Sequence, residues 1–143
     1  MAYWRLHYHA VWTTYQREPL ITAARERVIR TTLYAKAREL GLTLHEVGGM
    51  EEHLHVVVSA PPTLAVADWI RHLKGATSRA VNRTPATNGT FRWQDSYGAL
   101  SIAGRSLATV IAYVRNQRHH HLAGTIISAY EQTNEADADP TPS

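Results

Sequence analysis

The sequence predicts an α+β fold in which two helices cover one face of a four-stranded antiparallel sheet and an additional C-terminal helix covers the other. Three observations carry this reading. The apolar patterns run in the order β-α-β-β-α-β and are followed by one more helical pattern. The 143 residues suit one domain with a sizeable core. Finally, the stretch Glu52-His53-Leu54-His55-Val56-Val57-Val58 alternates like a strand, with Leu54, Val56 and Val58 on one side and two imidazoles on the other.

Each element has its own signal. Tyr3 to Thr14 alternates in part and is rich in Tyr, Trp, His and Val, which favours a first strand. After a turn at Glu18-Pro19, residues 22–40 place Ile29, Leu33, Ala37 and Leu40 on one helical stripe, and Gly41 stands at the stop. A second strand fits Leu42 to Val47, Gly48-Gly49 reads as a break, and the histidine strand runs over 53–59 until Pro61-Pro62. Thr63 is a candidate cap for a helix over 64–81, with Val66, Ile70, Leu73 and Ala76 as its apolar stripe. A loop at 84–90 leads to a strand from Phe91 to Ile102, interrupted near Asp95-Ser96. Ser106 can cap the last helix, 107–120, which packs through Leu107, Val110, Ile111 and Val114. This order is that of the ferredoxin-like split βαβ arrangement.

Composition narrows the function classes. With 44% hydrophobic and 19% charged residues the chain is a folding, soluble type. It has no cysteine, which excludes disulfides, thiolate metal sites and thiol nucleophiles. No apolar run approaches the roughly 20 residues that span a bilayer, and the N-terminal stretch lacks a signal-peptide pattern, so a cytoplasmic location without membrane contact is expected. The net charge of +3 hides an asymmetry, because Glu131, Glu135, Asp137 and Asp139 fall in the last thirteen residues. Without those four acids the body carries about +7, enough to attract a polyanion. Residues 1–128 are therefore read as the domain and 129–143 as an acidic, disordered tail.

If Leu54, Val56 and Val58 face the two helices, His53 and His55 face the last one. Tyr113 and Gln117 stand four apart on that helix and share a face. Two imidazoles, an amide and a phenol can then meet in one gap. That set suits phosphoryl transfer: His53, His55 and the Gln117 carbonyl oxygen hold Mg²⁺ or Mn²⁺, and the Tyr113 phenolate attacks phosphorus. The adduct keeps the energy of the phosphodiester for rejoining, which water would discard. A plainer alternative stays open, with the histidines satisfied by backbone carbonyls, Tyr113 in packing contact and Gln117 at the surface.

An ordered set of motifs spans nearly the whole chain: "YHAVWTT" at 8–14, "REPLI" at 17–21, "GGMEEHLHVVVSAPP" at 48–62, "RHLKGATSRAVN" at 71–82, "FRWQDSYGALSI" at 91–102 and "YVRNQRHHH" at 113–121. In these motifs the chain resembles the IS200/IS605-type transposases, single-strand HUH endonucleases with one catalytic tyrosine (the Y1 transposase domain). The resemblance implies that His53, His55 and Gln117 are metal ligands and Tyr113 the nucleophile. It also implies a homodimer that recognises hairpins in single-stranded DNA, forms a 5′-phosphotyrosine link and frees a 3′-OH. Two alternatives remain: a host-adopted nuclease that processes repeated hairpins, and a binding-only hairpin protein with the same fold.

Other residues have narrower expectations. His120 or His121 is a candidate extra ligand or phosphate contact, since each lies three or four residues beyond Gln117. His7 and His9 share a face of the first strand and are candidates for a place behind the ligands rather than ligands themselves, and Glu51 and Glu52 read as a charged strand entrance from which Glu52 can also orient an imidazole. For DNA, Arg71, Lys74, Thr77, Ser78, Arg79, Asn82 and Arg83 cluster on or just after the second helix. Gly75 in their midst suits a close approach, and Trp93 or Tyr97 could stack on an unpaired base.

Overall fold

A computed structural model describes residues 2–87, 89–124 and 126–133. Its sheet contains β1 (His7–Thr13), β2 (Thr43–Gly49), β3 (His53–Ser59) and β4 (Gly98–Ile102). The spatial order is β2-β3-β1-β4, and every neighbouring pair is antiparallel. Helices α1 (Ala23–Leu40) and α2 (Val66–Arg83) pack on one face. On the other lie α3 (Leu107–Arg115), α4 (Gln117–Ala123) and α5 (Ser128–Glu131). This is the expected ferredoxin-like arrangement with added C-terminal helices.

The main core forms where β-branched and apolar residues of β3 meet the helical stripes. Leu54, Val56 and Val58 pack with Ile29, Leu33 and Ala37 of α1 and with Trp69, Ile70 and Leu73 of α2. A smaller core on the opposite face joins Val57 and Ile102 to Val110, Tyr113 and Val114. Because β3 is covered on both sides, six of its seven residues are buried, the two histidines included. Burying imidazoles without partners would be costly, so this strand needs polar company on its second face.

Several boundaries differ from the sequence expectation, each for a physical reason. Strand β1 starts at His7, and Tyr3 and Trp4 remain 82% and 48% exposed. Gly48-Gly49 does not break β2, which runs through both glycines. A Cβ at Gly48 would lie 2.0 Å from the Val114 carbonyl oxygen, so glycine lets α3 cross directly over the strand. The α2 cap is Ala65 rather than Thr63, with no side-chain cap bond, and Thr77 takes the buried place expected of Ala76. Thr22, in contrast, caps α1 by accepting from the Arg25 amide, and Gly41 ends it at φ 78°. Ser106 precedes α3 without a side-chain cap bond. Trp93, expected within a long strand, makes only an isolated bridge with Thr14.

The last helix is not continuous over 107–120. Asn116 leaves helical geometry at φ −98° and ψ 26° while its side-chain amide donates to the Ala112 carbonyl at 2.9 Å. Local side-chain bonding of this kind competes with the helix ladder. The chain thus changes direction between Tyr113 and Gln117, and both side chains stay buried. Residues 129–133, assigned from sequence to the tail, instead belong to α5 and the segment against β4: a Cβ at Gly98 would meet the Gln132 carbonyl oxygen. Residues 134–143, the remainder of that expected tail, lie outside the described residues.

Candidate metal and tyrosine site

The second face of the sheet gathers the expected set and one residue that was not expected. His53 and His55 project from β3, His9 from β1, Tyr113 from α3, Gln117 from the start of α4 and Glu131 from the end of α5. His53, His55 and Glu131 each offer a ligand atom, and these atoms lie within 4.8 Å of one another. Glu131 is the hub. Its Oε2 lies 2.9 Å from His55 Nε2 and 3.5 Å from His53 Nε2, while its Oε1 accepts from the Tyr113 hydroxyl at 2.6 Å and from the Gln117 amide at 2.8 Å.

The histidines are held from behind. Glu52 Oε1 lies 2.8 Å from His53 Nδ1, and His9 Nε2 lies 2.7 Å from His55 Nδ1. Both contacts leave Nε2 of the strand histidines aimed into the site, which is how outer partners orient metal-binding imidazoles. Glu52 and His9, both candidates from the sequence, thus lie directly against the two imidazoles. His7 does not join them; its Nδ1 lies 2.6 Å from Ser59 Oγ instead.

Of the seven buried side-chain polar atoms without a hydrogen-bond partner among the described residues, three are His53 Nε2, Gln117 Oε1 and His121 Nε2. All three belong to residues around Glu131, with His121 Nε2 3.6 Å from its Oε1. Buried acceptors and donors are nearly always satisfied, so this group suits the coordination of a divalent ion. Imidazole nitrogen with amide and carboxylate oxygen is a donor set that suits Mn²⁺ or Mg²⁺. Of the histidine run, His121 approaches the His53 ring at 4.8 Å and His120 stacks on Tyr113 at 4.6 Å.

Electrostatics follow from burial. Desolvation, then the His55 charge, lowers the His53 pKa against the opposing bond from Glu52. His9 is lowered to about 3, again by burial first and His55 second. Burial disfavours the charged form of Glu131, but its bond and charge interaction with His55 and its bonds from Tyr113 and Gln117 more than offset this, leaving the carboxyl well below its ordinary range. Burial and the bond to Glu131 raise the Tyr113 phenol above its ordinary value. The Tyr113 phenol is thus held protonated.

Glu131 escaped the sequence reading because it sits among tail acids. The one apolar neighbour that packs is Tyr130, which joins the smaller core, and a single tyrosine is too weak a signal to mark the segment. Arg115 docks α3 on β2 through Glu46 at 2.9 Å.

The expected DNA residues divide. Arg71, Arg79 and Arg83 are exposed on α2, on the helical side away from the histidines. Arg79 and Arg83 border a groove of about 280 Å³ between α1 and α2, together with Lys36. Ser78 is half-buried and donates to the Gly75 carbonyl. A Cβ at Gly75 would meet only the flexible Arg79 side chain, so no close backbone approach explains that glycine. Thr77 and Trp93 do not fit the expectation: both are buried, and the Trp93 indole donates to Thr77 Oγ1 at 2.9 Å. Asn82 brackets the Phe91 backbone with two bonds, and Lys74 donates to the carbonyls of Gln94 and Ser96. These residues hold the 91–96 segment to α2. Tyr97 is 36% exposed and borders an open cavity of about 470 Å³ that also reaches His9 and Tyr130.

Among the described residues no helix is long and apolar enough to cross a membrane. The profile of the family described as "Transposase IS200 like" matches residues 2–117. The chain is 25% identical over 119 residues to the ISDra2 transposase TnpA of Deinococcus radiodurans, covering 80% of this chain and 85% of that one. A crystal structure of a candidate transposase from Deinococcus radiodurans superposes with a TM-score of 0.63 at 25% identity, over 81% of this chain and 93% of the other. The structure of a REP-associated tyrosine transposase bound to a REP hairpin gives a TM-score of 0.64 at 13% identity, over 88% and 76%, a likeness of fold. With this match over most of its length, on the fold and buried histidine pair described above, the chain belongs to the IS200/IS605 family of Y1 transposases.

Proposed function

We propose that the chain cleaves and rejoins single-stranded DNA at hairpin-marked ends, with Tyr113 as nucleophile. The observation that carries this reading is the convergence of the Tyr113 hydroxyl with His53, His55, Gln117 and Glu131, three of whose neighbouring polar atoms are buried without partners. His53, His55 and Gln117 Oε1 would hold Mg²⁺ or Mn²⁺, with Glu131 adding a carboxylate oxygen. Bound there, the ion supplies Lewis-acid polarisation of the scissile phosphate and favours the phenolate.

The chain's own groups do the rest. Glu131 Oε1 already accepts the phenolic hydrogen bond and stands where the proton leaves. The Tyr113 oxygen forms a bond to phosphorus, the bond from phosphorus to the 3′-oxygen breaks, and that oxygen departs with the electron pair and takes up a proton. A 5′-phosphotyrosine and a free 3′-OH result. Attack by a second 3′-OH on the same phosphorus restores the diester and releases the tyrosine.

The Tyr113 hydroxyl also accepts from the Ile127 amide at 3.0 Å, so the segment leading into α5 must shift before a phosphate reaches it. The exposed arginines of α2 lie on the opposite side of the sheet and suit contact with a hairpin backbone, leaving the histidine face for the strand that is cut. By family likeness the chain acts as a homodimer.

The test is a denaturing gel of the full chain with labelled hairpin oligonucleotides drawn from the DNA flanking its gene, in Mn²⁺, Mg²⁺ or EDTA. A metal-dependent protein–DNA band that Tyr113→Phe abolishes, with native-gel binding retained, is expected. Retained binding without any adduct would overturn the reading in favour of a binding-only hairpin protein.

A further inference from the structure

The same face of the sheet carries a second polar cluster, beyond α3 and outside the catalytic set. His7 Nδ1 and His45 Nε2 each lie 2.6 Å from Ser59 Oγ. His7 and Ser59 are direct partners across β1 and β3, each an even number of residues from His9 and His55, so all four share a face. His7 Nε2 is buried without a partner among the described residues. The Ser59 hydroxyl can satisfy one nitrogen of each imidazole, which leaves the second nitrogen of His7 able to take a further partner.

This cluster opens on a cavity of about 300 Å³ bordered by Trp4, Arg5, His7, Thr43 and Ser59. Among the described residues its lining holds no carboxylate, and none of their ion pairs involves Arg5. The lining offers a guanidinium, the His7 imidazole and the Ser59 hydroxyl, which His45 holds from behind, and without an acid this set suits an anion over a cation. Trp4 adds a second requirement. The other three tryptophans, Trp12, Trp69 and Trp93, are 0%, 0% and 5% exposed, whereas Trp4 is 48% exposed and stands at the cavity rim. An exposed indole beside an anion pocket suits a stacked base joined to its phosphate. The base must be unpaired to present its face, and the cavity lies at the small end of ligand sites, which run from about 300 to 1,000 Å³.

We propose that Trp4, Arg5, His7, His45 and Ser59 form a nucleotide cradle for single-stranded nucleic acid: the base stacks on Trp4 and its phosphate is taken by Arg5 with the His7–Ser59–His45 cluster. The inference rests on the single-strand reading of the catalytic face and gives that strand a second anchor on it.

The experiment titrates the full chain with hexathymidylate and, separately, with inorganic phosphate. Tryptophan emission reports Trp4, and nitrogen–proton spectra of the imidazole rings report His7 and His45. Hexathymidylate should quench the emission saturably and move both rings; Trp4→Phe should remove the quench, and Arg5→Ala should weaken binding by about tenfold, the scale of one lost anchoring contact. Trp4 and Arg5 lie outside the buried core, so unfolding does not mimic these losses. Emission and rings that stay unmoved, or quenching that survives in Trp4→Phe, would overturn the cradle. Rings moved by phosphate without quenching by hexathymidylate would overturn it in favour of a simple anion pocket. The hairpin adduct gel run alongside separates the two readings: an adduct with a silent Trp4 removes the cradle alone, and silence in both removes both.

Discussion

The two faces of β3 differ in what they ask of the protein. Leu54, Val56 and Val58 sit in a dry core against α1 and α2, where shape and apolar area decide the outcome. His53 and His55, offset by one residue, are just as buried but depend on Glu52, His9 and Glu131 as partners for three of their four ring nitrogens. One strand thus packs the main core on one side and lines the candidate site on the other. The lesson is that substitution at adjacent positions should separate stability from activity.

The sharpest break of that contrast compares neighbours. Leu54→Ala should cost about 2–5 kcal/mol of stability, read by urea unfolding, while the molecules that remain folded keep their cleavage rate. His53→Ala should lose metal-dependent cleavage with a smaller loss of stability. If both variants lost stability equally and activity only in proportion, the two faces would not be distinct in function.

A finer effect concerns the support behind the ligand. Glu52→Ala frees His53 Nδ1, and should weaken Mn²⁺ binding by roughly 10–100-fold in calorimetric titration, the usual range for outer partners of metal ligands. An unchanged affinity would mean that Glu52 belongs to the strand entrance alone.

The smallest expected effect is a pH dependence of the metal-free chain. His9 is held at about 3, below its ordinary 6.5, so between those values the unfolded chain binds more protons than the folded one. Its contribution to stability is complete above about 6.5 and falls as pH drops toward 3. The lowered His53 acts in the same sense, and Glu131 adds to it below the ordinary carboxylate range. Unfolding in EDTA across this window should show the decline, with a flatter slope in His9→Gln; equal slopes would place the titrating group elsewhere.

Local pattern made much of this legible in the sequence. A period of two assigned Leu54, Val56 and Val58 to one face and the histidines to the other, and the stop at Gly41 followed from its left-handed geometry. What stayed hidden depends on contacts between distant segments. Gly48 and Gly98 looked like breaks or ordinary strand residues, whereas each makes room for a crossing backbone, Val114 in one case and Gln132 in the other. The second of these crossings brings in the segment that carries Glu131, so no local pattern around that acid could assign it to the site. The Trp93–Thr77 bond likewise joins residues whose pairing exists only after the 91–96 segment folds onto α2.

The central claim is that Tyr113, and no other phenol, attacks the DNA. Tyr130 is the close rival, with its ring 5.1 Å from that of Tyr113 and also against His9. The decisive measurement is to isolate the covalent adduct formed in Mn²⁺, digest it, and identify the nucleotide-linked peptide by mass spectrometry. A 5′-phosphate on Tyr113 alone is expected. A linkage on Tyr130, or on any residue other than Tyr113, would contradict it.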